Sequence, residues 1–243
     1  MCRMIGLASN NKISTLWLED FQKLAVEGNS LKTMPEGHGD GWGIAGYLGD
    51  WTVHFGRSAG DAADETEAYE KATAKAVASK SKIVIAHMRS ASAGTVNIEN
   101  SHPFTYKEWI FCHNGTVEDA KKLELAKYKY EGDTDSERLF KYLIDRLHNK
   151  PLKEFPALIR DAVNEIKNVC KCTSLTFLLA NGKYLMGFRD YSEDENYYTL
   201  YYSHSSGHSF SFCSEPLPGF DWSPMANGEL IVCDKEGGVL NGL

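Results

Sequence analysis

The sequence predicts an α+β fold: two β-sheets covered by helices, in one domain spanning residues 1–243. Three observations carry this expectation. Strand-like segments gather in two blocks, one ending near residue 117 and one beginning near residue 173. Helical patterns lie between and around those blocks, which suits sheets covered by helix layers. No repeat, low-complexity stretch or linker interrupts the 243 residues, a length long enough to bury a substantial core.

The elements follow in order. RMIGLA (3–8) reads as a buried strand. TLWLEDFQKLAVEG (15–28) carries a helical apolar stripe at Leu16, Phe21, Leu24 and Ala25, with Gly28 as its stop. After the loop PEGHGDG (35–41), WGIAGY and WTVHFG read as two strands joined by a tight LGD turn. An alanine-rich helix is expected over 61–80 and a buried strand at KIVIAHM (82–88). Residues 90–107 read as loop, and WIFCHNGTV (109–117) as a strand running into a turn. Helices are expected over 134–147 and 152–168, the second with Pro156 near its start. From Thr173 onward SLTFLLA, KYLMGFR, YYTLYYSH, SFSFC and GELIVCD read as strands, with the polar tip SEDEN (192–196) between two of them.

Composition narrows the function. The net charge is −7 and no basic run exists, which argues against nucleic-acid binding. No segment approaches the roughly 20 apolar residues of a membrane helix, and the N-terminus has no apolar signal region, so a cytoplasmic location is expected. The six cysteines are scattered at 2, 112, 170, 172, 213 and 233. Cys170 and Cys172 lack the C-x-x-C spacing of zinc or redox sites. Most of the six read as small buried hydrophobes.

Several motifs have two readings. GWGIAG (41–46) matches G-x-G-x-x-G but leads into a strand, so it is not a dinucleotide fingerprint; a P-loop is absent. GHGDGWG (37–43) is either a flexible turn or a backbone that passes close to something. HNG (113–115) is either an Asn-Gly hairpin turn or an oxyanion hole, with the Asn114 side-chain NH2 and the Gly115 N–H aimed at one oxygen. GDTDSERLF (132–140) holds a capping box, Thr134 with Glu137. Asp135 then either complements the helix dipole or holds a substrate ammonium. Arg89, just past a buried strand, is either a solvent-facing arginine or a clamp for a carboxylate. HSSGH (204–208) and the Cys170/Cys172 pair lack metal-ligand spacing.

The ordered set MCRMIG, HGDGWGIAGY, IAHMRSAS, NSHPF, FCHNGTV and DTDSERLF resembles the class II glutamine amidotransferases, the N-terminal-nucleophile family, and more closely its small stand-alone glutaminase-like members. SEPL (214–217) and the Trp222 region resemble that family's C-terminal part. Many members have threonine where this chain has Ser92, and large members carry an acceptor domain that has no counterpart here. The resemblance implies a four-layer αββα sandwich of two antiparallel sheets between helix layers. It implies hydrolysis of the γ-amide of glutamine or a γ-glutamyl compound, with Cys2 as nucleophile after removal of Met1. The α-amine, with a pKa of about 7.7–8.0, can then take the thiol proton. By the same resemblance Asn114 and Gly115 form the oxyanion hole, while Arg89 grips the substrate α-carboxylate and Asp135 its ammonium. Ser92, His38, Asp40 and Gly41 shape the site, and His87, His102 and His113 serve as scaffold. No metal or cofactor is implied. The expected partners are the small-molecule substrate and either a second copy or a synthetase fed with ammonia. A catalytically silent binding module is the remaining alternative.

Overall fold

The computed structural model describes residues 2–32, 36–125, 128–205 and 209–240. Met1, Pro35 and positions 206–208 of HSSGH, on which parts of the reading above depend, lie outside them. Strand β1 (Arg3–Ser9) runs through the middle of a seven-stranded antiparallel sheet. On one side follow β4 (Ile83–Met88), β2 (Trp42–Leu48) and β3 (Trp51–Ser58). On the other follow β10 (Ser209–Cys213), β9 (Tyr201–Ser205) and the short β11 (Ser223–Pro224). A second antiparallel sheet has the order β12 (Glu229–Asp234), β8 (Tyr184–Arg189), β7 (Thr176–Ala180), β6 (Trp109–Asn114), β5 (Phe104–Tyr106). Helices α1 (Thr15–Glu27) and α2 (Thr66–Ala78) cover the first sheet, and α3 (Asp135–Leu147) and α4 (Phe155–Val169) cover the second. The result is a four-layer αββα sandwich of two antiparallel sheets between helix layers.

Strand periodicity sorts the side chains. On β1, Ile5 and Leu7 pack with Phe21 and Leu24 of α1, while Met4 and Ala8 pack between the sheets with Ile110, Cys112 and Leu178. Gly6 faces the same gap: a Cβ there would stand 3.1 Å from Leu178 Cδ1 and 3.3 Å from Leu185 Cδ1. On β6, Trp109 and Phe111 face the α3 side, where Phe111 stacks on Phe140 with ring centroids 5.3 Å apart. Ile110 and Cys112 face inward. All six cysteines are unpaired and buried.

Four sequence expectations need correction. Leu16 is 59% exposed and Leu18 is fully buried. The two lie about 200° apart around the helix, and the buried face of α1 is Leu18, Phe21, Leu24 and Ala25. The second helix begins at Thr66 rather than near residue 61. Residues 90–107 contain a 3-10 turn (Ile98–Asn100) and β5, whose three residues are too few to show alternation. The strand expected to begin at Tyr197 begins at Tyr201. The Asp194 carbonyl takes the N–H groups of both Tyr197 (2.8 Å) and Tyr198 (3.1 Å), which turns the chain there and buries both rings.

Candidate active site

Cys2 precedes β1 and shares the side-chain parity of Met4; Asn114 ends β6 and shares the parity of Cys112. Both therefore enter the space between the sheets, at the same end. The Cys2 nitrogen donates to Asn114 Oδ1 at 3.2 Å. Asn114 is fully buried, and its Nδ2 has no hydrogen-bond partner among the described residues. A buried donor left unpaired costs about 1–3 kcal/mol, and in a native protein it asks for an explanation. The Cys2 sulfur lies 3.9 Å from Ser90 O. Burial pushes the Cys2 thiol above its ordinary pKa, and the nearby cations Arg89 and Arg3 pull the other way.

HNG does not make a hairpin. The next strand to pair with β6 is β7, where Asn114 sits opposite Thr176. Gly115 does not have a left-handed φ; its reason is space. A Cβ at Gly115 would lie 2.1 Å from Ser174 O and 2.7 Å from His113 Nε2. His113 is itself pinned, with Nδ1 3.0 Å from Ser136 Oγ of α3 and Nε2 3.0 Å from Ser174 O.

Arg89 is 2% exposed rather than solvent-facing. Its Nη1 donates to Thr95 O at 3.0 Å and its Nη2 to Ala93 O at 2.8 Å, so it braces the loop it begins. The glycine-rich loop is zipped to the same segment. Asp40 N donates to Arg89 O (2.9 Å), Arg89 N to Gly41 O (2.7 Å), and Ala91 N to the Asp40 carboxylate (2.8 Å). Gly41 has φ +135°, and a Cβ there would meet Ser101 Oγ at 2.4 Å. Ser92 Oγ lies 2.8 Å from Thr116 Oγ1, tying the arginine loop to the segment after Asn114-Gly115. His38 is buried behind these residues. Its N–H donates to Ala25 O of α1 at 2.8 Å, and burial with the nearby Arg3 cation drives its pKa down to about 3. The His87 and His102 rings lie tilted at 37° with centroids 4.3 Å apart, both well below the ordinary histidine range because of burial.

At α3 the capping box is half formed. Thr134 Oγ1 accepts from Glu137 N at 3.2 Å, but the Glu137 carboxylate takes Glu131 N (3.0 Å) and Gly132 N (2.9 Å) instead of the cap's own N–H. Asp135, the first residue of α3, accepts from Val117 N at 2.5 Å and so ties the helix to the turn after β6. It lines an open cleft of about 680 Å³ together with Ala93, Val117, Tyr130, Asp133 and Arg138. Among the described residues no three His, Cys, Asp or Glu side chains converge in a way that could hold a metal ion, and no helix is long and apolar enough to cross a membrane.

Sequence reasoning missed a buried knot beside Cys2. Arg3 is fully buried: its Nη1 donates to Cys2 O at 2.9 Å, its Nη2 to Asn29 O, and its Nε pairs with Glu215. Glu215 also takes Asn29 N (2.8 Å) and Asn29 Nδ2 (2.9 Å). The signal was an arginine inside an otherwise apolar strand, since a charge there needs a partner. Asn100, which bonds Asp133 and Thr95 O, was also missed.

With this geometry in hand, the similarities to known proteins are specific. Residues 1–204 match the family model for class II glutamine amidotransferases. The uncharacterized protein MJ1515 of Methanocaldococcus jannaschii is 30% identical over 96% of this chain and 69% of its own. The gamma-glutamyl-hercynylcysteine sulfoxide hydrolase of Mycobacterium tuberculosis is 31% identical over 49% of this chain and 51% of its own. The fold is like that of the glutamine phosphoribosylpyrophosphate amidotransferase of Bacillus subtilis, with TM-score 0.65 and 18% identity, over 97% of this chain and 48% of that one. The family match, spanning most of the chain and all the motifs set around Cys2, makes this protein a member of the class II glutamine amidotransferase family.

Proposed function

We propose that this chain hydrolyses the γ-amide bond of glutamine or a γ-glutamyl compound, with Cys2 as an N-terminal nucleophile. The supporting observation is the Cys2–Asn114 pair. With Oδ1 of Asn114 held by the Cys2 nitrogen, the amide orientation is set, and Nδ2 remains a buried donor without a partner. That is the arrangement an oxyanion needs: a donor already desolvated and idle until negative charge forms.

In this reading Met1 is removed, and the Cys2 amine takes the thiol proton. The need is real, because burial disfavours the thiolate in the resting site. The sulfur attacks the γ-carbonyl carbon, and the oxygen becomes negative between Asn114 Nδ2 and the Gly115 N–H. The C–N bond breaks as the leaving amine takes the proton held on the Cys2 amine. Water then adds to the thioester, giving its proton to the same amine, and the C–S bond breaks to release glutamate. Arg89 uses donors beyond its two loop bonds to hold the α-carboxylate. Asp135 accepts the α-ammonium, and Ser92, Asp40 and Gly41 keep the arginine loop against the turn at 114–116. His38 acts from beneath, filling space as a neutral ring.

The test joins mass and activity. Intact mass before and after a glutamine-analogue electrophile should show loss of Met1 and one adduct, absent in Cys2→Ser. Wild type should hydrolyse glutamine but not N-acetylglutamine or glutamine methyl ester. Full activity with Met1 retained, or equal turnover of blocked and free substrates, would refute these roles.

A further inference from the structure

Cys2 stands just outside the ladder that orders β1. The pairing of β1 with β4 ends at Arg3 opposite Met88, and its pairing with β10 at Ile5 opposite Cys213. One place further, Ser214 N donates to Met4 O at 2.9 Å and Met4 N to Ser214 Oγ at 3.0 Å. Arg89 N, the next donor after β4, is given to Gly41 O. The Cys2 carbonyl is taken by Arg3, whose Nη1 donates to it at 2.9 Å. Side chains alternate across a strand, so Arg3 leaves the sheet on the α1 face, opposite the gap in which Cys2 meets Asn114. There the guanidinium is fully buried and gripped by three further groups. They are Asn29 O in the loop after α1, the Glu215 carboxylate after β10, and the Tyr197 ring, whose centroid lies 4.6 Å from Arg3 Cζ. Glu215 is fixed in turn by Asn29 N (2.8 Å) and Asn29 Nδ2 (2.9 Å).

A charge in an apolar strand is costly and persists only with its partners. What this one reaches, on the side of the site, is the Cys2 carbonyl. Fixing that oxygen fixes the peptide plane after Cys2, and with it the torsion that aims the Cys2 amine and the Cα–Cβ bond carrying the sulfur. The residue is thus held at both ends: its nitrogen by Asn114 Oδ1 at 3.2 Å and its carbonyl by Arg3. Attack on a carbonyl is steep in geometry, and a misplacement of roughly 1 Å can cost about 100-fold in rate. A planar guanidinium offers donors at fixed angles to Cys2 O, Asn29 O and Glu215 together, a fork that the single ammonium of lysine does not reproduce.

We propose that Arg3, locked by Glu215 and Asn29, is the positioning residue of the nucleophile: its fork holds the Cys2 peptide so that amine, sulfur and Asn114 stay in register for attack. The assignment rests on Cys2 being the nucleophile. Arg3 acts through the Cys2 carbonyl and from the far face of the sheet, so it contributes to turnover and not to substrate affinity. Glu215 and Asn29 act one step further back, by holding the guanidinium at its angle.

The experiment compares wild type, Arg3→Lys, Arg3→Met and Asn29→Ala in steady-state hydrolysis of glutamine. Adduct formation with 6-diazo-5-oxonorleucine, followed to completion by intact mass, counts the competent sites in each preparation, and kcat is expressed per competent site. Arg3→Lys and Arg3→Met should both lower kcat by about 100-fold and slow adduct formation alike, with KM within about twofold of wild type. Asn29→Ala removes one bond to Glu215 from an exposed side chain and should lower kcat by about three- to tenfold. Asn29→Ala folds without the buried arginine being touched, so it tests the device even where the Arg3 variants do not fold. Arg3→Lys at the wild-type kcat would show that charge alone suffices and would overturn the fork. A drop in competent sites with unchanged kcat per site would reduce Arg3 to a folding role, and an unchanged kcat in Asn29→Ala would remove Glu215 and Asn29 from the device; either result overturns the proposal and leaves the nucleophile standing. Wild type that neither forms the adduct nor hydrolyses glutamine refutes the nucleophile, and the positioning role with it.

Discussion

Asn114 is the side chain on which the proposed chemistry turns. Its Oδ1 is occupied by the Cys2 nitrogen and its Nδ2 has no partner among the described residues, so under the proposed function the residue would both align the nucleophile and receive the oxyanion. An interaction made only in the transition state lowers kcat when removed. Asn114→Ala should therefore reduce kcat by about 100- to 1,000-fold while changing KM little, as measured by steady-state kinetics on glutamine. An effect confined to KM would show that Asn114 only shapes the ground-state pocket. Gly115 beside it leaves no such latitude, because any Cβ would enter the Ser174 carbonyl.

Under the proposed function, the N-terminus of α3 is the element on which substrate binding depends. Its first turn carries Asp135, its cap is Thr134, and its Glu137 reaches back to bind the loop at 131–132 that leads into the cleft. These contacts differ in number and therefore in cost. Thr134→Ala removes one cap bond and should lower stability by about 1 kcal/mol. Glu137→Ala removes two part-buried hydrogen bonds to backbone N–H groups and should cost about 0.5–1.5 kcal/mol for each. Urea unfolding of the two variants should rank them in that order. The reverse order would mean that water replaces Glu137 freely, and that the loop is not held by it.

At the scale of the molecule, the sandwich encloses neutral histidines. His38, His87 and His102 are all buried, and burial holds each below the ordinary value, His38 down to about 3. The unfolded chain protonates near pH 6.5, so below that pH the unfolded state binds more protons than the folded one. Stability is then fully present above pH 6.5 and declines as pH falls, by about 1.4 kcal/mol per pH unit for each such histidine. His38 alone should lower the urea unfolding free energy by about 1 kcal/mol between pH 7 and 5.5, and His87 and His102 act in the same direction. A free energy that stays level across that interval would show that these rings take up protons in the folded state.

Much of this was written in local pattern. The strand RMIGLA, the helix after Thr134, the buried strand before Arg89 and the order of motifs around them all rest on contacts near in sequence or on spacing, and all are legible in the chain. The family was legible too, because the motif set is ordered along the sequence. What the tertiary structure alone decided is where each residue with two readings lies and which groups it meets. Asn-Gly is a hairpin signal by itself; here the partner strand comes only at Thr176, after two intervening helices, so the turn is free to face Cys2. Arg89 could have ended in solvent, but the fold gives its guanidinium two loop carbonyls and buries it. The Arg3–Glu215 pair spans most of the chain, as does the Arg3–Tyr197 contact. Sequence periodicity reports which face a side chain takes within its own element; which distant face it meets depends on how the two sheets and their connections close on one another.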